Sequence, residues 1–216
     1  MKKIAVILSG CGVFDGAEIH ETVLALYAIE KQGASWHCFA PDVDQMHVIN
    51  HITGEEMAEK RNVLVEAARI TRGQIADVAT LNPNDFDALL VPGGFGAAKN
   101  LCDFAVKGAE CSLNEDVATA CRAFAKAQKP AGYLCIAPTM LPLIYGADIQ
   151  GTIGNDAQTA QAFQQMGGDH IECPVDDYVF DTKNKVLTTP AYMLAENIVQ
   201  AASGIERLVA RLVTIA

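Results

Sequence analysis

The chain has 216 residues, half of them hydrophobic, which is enough to bury one sizeable core in a single domain. Sixteen basic against twenty-six acidic residues leave a net charge of −10, with no basic face to hold nucleic acid. No apolar run approaches a membrane span, and Ile4–Leu8 is too short for the core of a signal peptide, so a cytoplasmic protein is expected.

In chain order, Ile4–Leu8 reads as a central parallel strand, bounded by Ser9-Gly10-Cys11-Gly12. Asp15-Gly16-Ala17-Glu18 fits a capping box, and Glu21, Leu24, Tyr27 and Ala28 carry helical spacing to a stop at Lys31-Gln32-Gly33. Trp36–Phe39 completes a strand–helix–strand unit. Residues 42–73 read as an insertion, polar at first and then helical from about Glu55 to Ile70. Ile75–Ala79 is a short strand candidate, and Asp87–Val91 is a buried-type strand feeding Pro92-Gly93-Gly94-Phe95-Gly96.

Ser112-Leu113-Asn114-Glu115 reads as a second capping box, opening a helix that shows Val117, Cys121 and Phe124 on one face. A strand follows Pro130 and ends at Cys135, a helix runs on to about Tyr145, and another spans Asn155 to Met166. Val175–Asp181 and Lys185–Thr189 flank a hairpin turn, after which Thr189 and Pro190 are expected to open the last helix. No linker, repeat or low-complexity tract divides the chain. The alternation predicts one doubly wound, mostly parallel α/β domain over residues 1–216, flavodoxin-like, with a small hairpin and a helical insertion.

The seven cysteines are irregularly spaced and form no C-x-x-C, so they read as reduced, mostly buried thiols. His47 and His51, four apart, lack a third ligand nearby, and no metal is expected. The Gly10–Asp15 loop carries an acid where a dinucleotide fingerprint needs its third glycine. No nucleotide cofactor is expected either.

Three loops fall beyond the carboxyl ends of parallel strands, where α/β sheets bind ligands. Cys135 stands on a strand-to-helix turn, where the helix end should favour thiolate. The glycines Gly93 and Gly94 can bring backbone N–H groups to an oxyanion, and Glu18 and Glu21 can move protons. Each feature alone has a plain alternative: a buried thiol, helix-dipole acids, an ordinary turn. Their conjunction on one sheet edge is what points to a site.

With Gly16-Ala17-Glu18-Ile19-His20-Glu21-Thr22-Val23, Leu89-Leu90-Val91-Pro92-Gly93-Gly94 and Leu134-Cys135-Ile136-Ala137-Pro138-Thr139, the chain resembles the PfpI superfamily, relatives of class I glutamine amidotransferases. It looks most like the enhancing-lycopene-biosynthesis branch, described both as isoprenoid-biosynthesis proteins and as glyoxalases. The resemblance implies Cys135 as nucleophile, Glu21 as its acid partner with Glu18 one turn earlier, and the N–H groups of Gly94 and Ile136 as oxyanion donors. It also implies a homodimer.

The histidines of that superfamily are missing: Ile136 follows the cysteine, Ile153-Gly154-Asn155-Asp156 stands about twenty residues on, and Thr188-Thr189-Pro190-Ala191 precedes the last helix. Amide cleavage needs a proton delivered to a poor leaving group, whereas thiol addition to an aldehyde does not. The expectation is a cofactor-independent glyoxalase acting on small 2-oxoaldehydes, with deglycation by the same steps. The alternatives are a redox- or electrophile-sensing protein built on a low-pKa Cys135, and a non-catalytic amidotransferase-like protein tied to isoprenoid metabolism.

Overall fold

A computed structural model describes residues 1–216. Seven strands form one sheet: β1 (Lys3–Ile7), β2 (Ser35–Ala40), β3 (Ile75–Asp77), β4 (Ala88–Val91), β5 (Ala131–Leu134), β8 (Val179–Asp181) and β9 (Val186–Thr189). Their spatial order is β3-β2-β1-β4-β5-β9-β8, all parallel except β8, which pairs antiparallel with β9 as the sequence hairpin predicts. Two further strands, β6 (Gln150–Gly151) and β7 (Asp169–His170), make a small parallel pair.

The apolar runs form the inner strands because both sheet faces are covered. Every residue of β4, β5 and β9 is buried, as are four of the five in β1. The helices are α1 (Ile19–Lys31), α2 (Val63–Ile70), α3 (Phe104–Lys107), α4 (Glu115–Lys126), α5 (Leu141–Tyr145), α6 (Ala157–Gln165) and α7 (Ile198–Ile215). Helix α7 buries Ala201, Ile205, Leu208, Val209 and Leu212, a stripe at helical spacing that lies against α1 and the sheet. Strand order reverses between β1 and β4, and right-handed crossovers open a crevice there, beyond the strands' carboxyl ends.

Several local readings are corrected. The N-cap of α1 is Glu18, whose side chain accepts from Glu21 N, not Asp15. Asp15, itself buried, instead accepts from Ile49 N of the insertion at 2.7 Å. Asn114, not Ser112, caps α4, by accepting from Asp116 N and Val117 N. The last helix begins at Ile198 under Asn197, because Pro190 opens only a single 3-10 turn over Ala191–Met193. Within the insertion, helix is confined to α2. Residues before it are irregular, held by bridges between Asp44 and Asn62 and between Ile49 and Glu56, so His47 and His51 share no helix face.

The insertion is pinned onto the loop after β1. Besides the Asp15–Ile49 bond, His51 Nε2 accepts from Phe14 N at 3.2 Å, and Asn100 Nδ2 donates to the carbonyls of Ser9 and Asp15. An acceptor Nε2 leaves Nδ1 as the protonated nitrogen, 3.0 Å from the Ile49 carbonyl.

Gly132 in β5 lies under α7 and beside β4 with no room for a side chain. A Cβ there would stand 2.7 Å from Leu90 Cδ1 and 2.9 Å from Leu208 Cδ2. Gly132→Ala is expected to lower unfolding free energy by roughly 1–3 kcal/mol through overpacking, measured as an earlier midpoint in urea.

Candidate active site

Cys135 ends β5 in a left-handed conformation, φ +60°, that a residue with a Cβ adopts only when its surroundings impose it. Its N–H is held by the Thr189 carbonyl of β9 at 3.0 Å, and Ile136 turns at once into a right-handed conformation. The turn lifts the thiol above the sheet edge, as the sequence predicts. The segment behind it differs from the expected helix: a 3-10 turn over Ala137–Met140 and then the five residues of α5.

Instead of favouring thiolate, the site pushes the Cys135 pKa well above the ordinary value. Burial is the largest cause, followed by the negative charge of Glu21. The N–H groups of Gly94 and Ile136 aim at the sulfur and oppose the rise without reversing it. Both N–H groups expected as oxyanion donors therefore stand at the Cys135 sulfur.

Glu21 is completely buried in the first turn of α1. Its Oε2 accepts from Gly93 N at 2.9 Å, and its Oε1 accepts from Tyr192 N at 3.2 Å. Desolvation raises its pKa to about 7, and Glu18 adds to the rise. The Tyr192, Cys135 and Gly93 hydrogen bonds pull the other way. A Cβ on Gly93 would lie 2.8 Å from Glu21 Oε2 and 2.9 Å from Cys135 Sγ, so only glycine lets this backbone pass between acid and thiol. Gly94, at φ +91°, presses against the backbone of Gly16 and Glu18. Glu18 N in turn donates to the Gly93 carbonyl at 3.0 Å. The loops after β1 and β4 are thus stitched together beneath the thiol.

A cavity of about 640 Å³ opens over Cys135, lined by Glu18, Gly94, Ile136, Asn155 and Tyr192 among others. Four of the six predicted site residues line it, Glu18, Gly94, Cys135 and Ile136, while Gly93 and Glu21 adjoin Cys135 without lining it. Tyr192 was missed, because it lies in the 3-10 turn that replaced the expected helix start. Its hydroxyl meets His20 Nδ1 at 2.9 Å. None of the five histidines lines the cavity; His20 approaches it only through that hydroxyl, and His170 accepts from Ile153 N instead.

No protein-family model matches the chain. It is 44% identical over 218 residues to the rat "ES1 protein homolog, mitochondrial", covering 96% of this chain and 81% of that one. It is 45% identical over 201 residues to the human "Glutamine amidotransferase-like class 1 domain-containing protein 3, mitochondrial", covering 88% of this chain and 75% of the relative. Among solved structures, an isoprenoid biosynthesis protein with an amidotransferase-like domain from Ehrlichia chaffeensis superposes with a TM-score of 0.92 at 34% identity, over 99% of this chain and 100% of that one. A DJ-1 superfamily protein from Salmonella typhimurium shares the fold alone, at a TM-score of 0.60 and 16% identity over 99% and 91% of the two chains.

These relatives correct the cytoplasmic expectation, since both curated proteins are named mitochondrial. That expectation rested on a missing export signal, and an absence carries no address.

The raised Glu21 pKa has a consequence for stability. The carboxyl keeps its proton in the fold up to about 7 but loses it near 4.5 in the unfolded chain. The fold therefore binds more protons in that window, and stability falls as pH rises through it. Glu21→Gln removes this dependence. Relative to wild type, its unfolding free energy should gain on the order of 3 kcal/mol between about pH 4.5 and pH 8, read from denaturant curves at each pH.

Proposed function

The chain belongs to the ES1 family of glutamine amidotransferase-like class 1 proteins, and on that premise we propose that it is a cofactor-independent glyoxalase. The observation that carries the reading is the Cys135–Glu21 pair: a protonated thiol bonded to a buried carboxylate of pKa about 7, with no histidine lining the cavity. A base of that pKa is matched to taking a thiol proton near neutral pH. No histidine lines the cavity to protonate a departing amine, which disfavours glutaminase and protease chemistry.

The steps need only these residues. Glu21 takes the Cys135 proton as sulfur adds to one aldehyde carbon of glyoxal, and the new alkoxide sits between the Gly94 and Ile136 N–H groups. Glu21 returns that proton to the alkoxide, giving a hemithioacetal and freeing the carboxylate. Glu21 then removes the hydrogen from the thiol-bearing carbon and delivers it to the neighbouring one, while the hemithioacetal hydroxyl proton passes to the neighbouring oxygen, turning the adduct into the thioester of glycolate. Water cleaves that thioester, releasing glycolate and the free thiol.

The cavity exceeds what glyoxal fills, so a 2-oxoaldehyde carried on a larger body, as in deglycation, fits the same steps. Isoprenoid biosynthesis, named for the Ehrlichia protein, adds no residue to this chemistry. A sensor role for Cys135 is less well supported, since its sulfur is buried and holds its proton.

Cys135→Ala should abolish glycolate formation from glyoxal, followed by chromatography of the product. Unchanged turnover in that variant would refute the proposal. Glu21→Gln should lower kcat/KM by roughly 10²- to 10⁴-fold. In the wild type kcat/KM should rise with pH through about 7, as Glu21 loses its proton, and the variant should lack that limb.

A further inference from the structure

Two cysteines away from the Cys135 site form a pair of their own. Cys102 leaves the π-helical turn Ala97–Leu101 and bridges antiparallel to Leu113. The ribbon is closed by Asp103 N donating to the Ser112 carbonyl and Asn114 N donating to the Leu101 carbonyl. Cys111 lies two residues before Leu113, so the two cysteine side chains emerge on the same face of that ribbon as diagonal neighbours. Their thiols interact side chain to side chain.

The two differ in access. Cys102 is buried, with its thiol 3.3 Å from the Ala97 carbonyl. Cys111 is buried too, but its edge borders a surface cavity of about 500 Å³ that Ser112, Glu115, Arg122 and Leu143 also line. Between the cysteines, Gly108 turns the chain at φ +54° with nothing within 4 Å of where a Cβ would be.

We propose that Cys102 and Cys111 are a peroxide-oxidised dithiol pair, Cys111 reacting first and Cys102 resolving it into an intramolecular disulfide. The Cys111 thiolate attacks one peroxide oxygen, the O–O bond breaks, and hydroxide leaves as water after taking a proton. Cys111 is then a sulfenic acid. The Cys102 sulfur attacks the Cys111 sulfur, the S–O bond breaks, and a second water departs with the Cys102 proton. Two thiols and one hydrogen peroxide give one disulfide and two waters.

The order follows from charge as well as access. Interaction with the neighbouring Cys102 thiol holds Cys111 below the ordinary thiol value, the only one of the seven cysteines so placed. Burial pushes Cys38 and Cys121 up to about 12. The thiolate is the reactive form.

The test is a brief exposure of the full-length wild-type protein to a small excess of hydrogen peroxide, then maleimide labelling under denaturing conditions and mass spectrometry. The segment spanning both cysteines should become lighter by two hydrogens and unlabelled, about tenfold faster than Cys38 is oxidised, and should revert with dithiothreitol. In Cys102→Ser, dimedone should trap a sulfenic acid on Cys111. In Cys111→Ser, Cys102 should stay reduced. The inference is overturned if both cysteines remain labelled while others oxidise, or if Cys102 oxidises equally well without Cys111.

Discussion

The clamp on the Glu21 carboxylate is the contact on which the rest of this site depends. One oxygen accepts from Gly93 N, the other from Tyr192 N, and the Cys135 thiol lies against the same group. An ionised carboxylate with no exposure carries a large desolvation penalty, and two backbone donors offset only part of it. The remainder appears as a pKa near 7. The burial that destabilises the fold at neutral pH also sets the titration that the proposed proton transfer uses.

The fold supplies the clamp by bringing three chain ends to one crevice. The loops after β1, β4 and β5 meet where strand order reverses, and the turn after β9 delivers Tyr192 from the far side. Glycine at position 93 lets the β4 loop pass between acid and sulfur, and the left-handed turn at Cys135 aims the thiol over it. The insertion does not enter this clamp. It braces the β1 loop from outside, through Asp15 and His51.

Much of this was legible from residues alone. Ile4–Leu8, Asp87–Val91 and the run ending at Leu134 announced central strands because parallel strands buried on both faces leave no room for alternation. The three motifs placed Cys135, Glu21, Glu18, Gly93, Gly94 and Ile136 on one sheet edge, and the structure gathers them around one cavity. Tyr192 was hidden because Pro190 imitates a helix start, while the chain makes a single 3-10 turn and waits for Asn197. The direction of the Cys135 pKa was hidden for a different reason. A helix end is visible in sequence, but desolvation depends on the surrounding packing, and here burial and Glu21 outweigh the two N–H donors. The Cys102–Cys111 pairing was equally out of reach, since it arises from a lone antiparallel bridge with no strand signature.

The resting site keeps its proton on sulfur and reserves the titration near neutrality for Glu21. Ultraviolet thiolate absorbance, taken as the difference between wild type and Cys135→Ala across a pH titration, reads this directly. No Cys135 thiolate signal is expected at neutral pH, and it should appear only above the ordinary thiol range. A full thiolate signal at or below neutral pH would mean that the proton does not rest on sulfur.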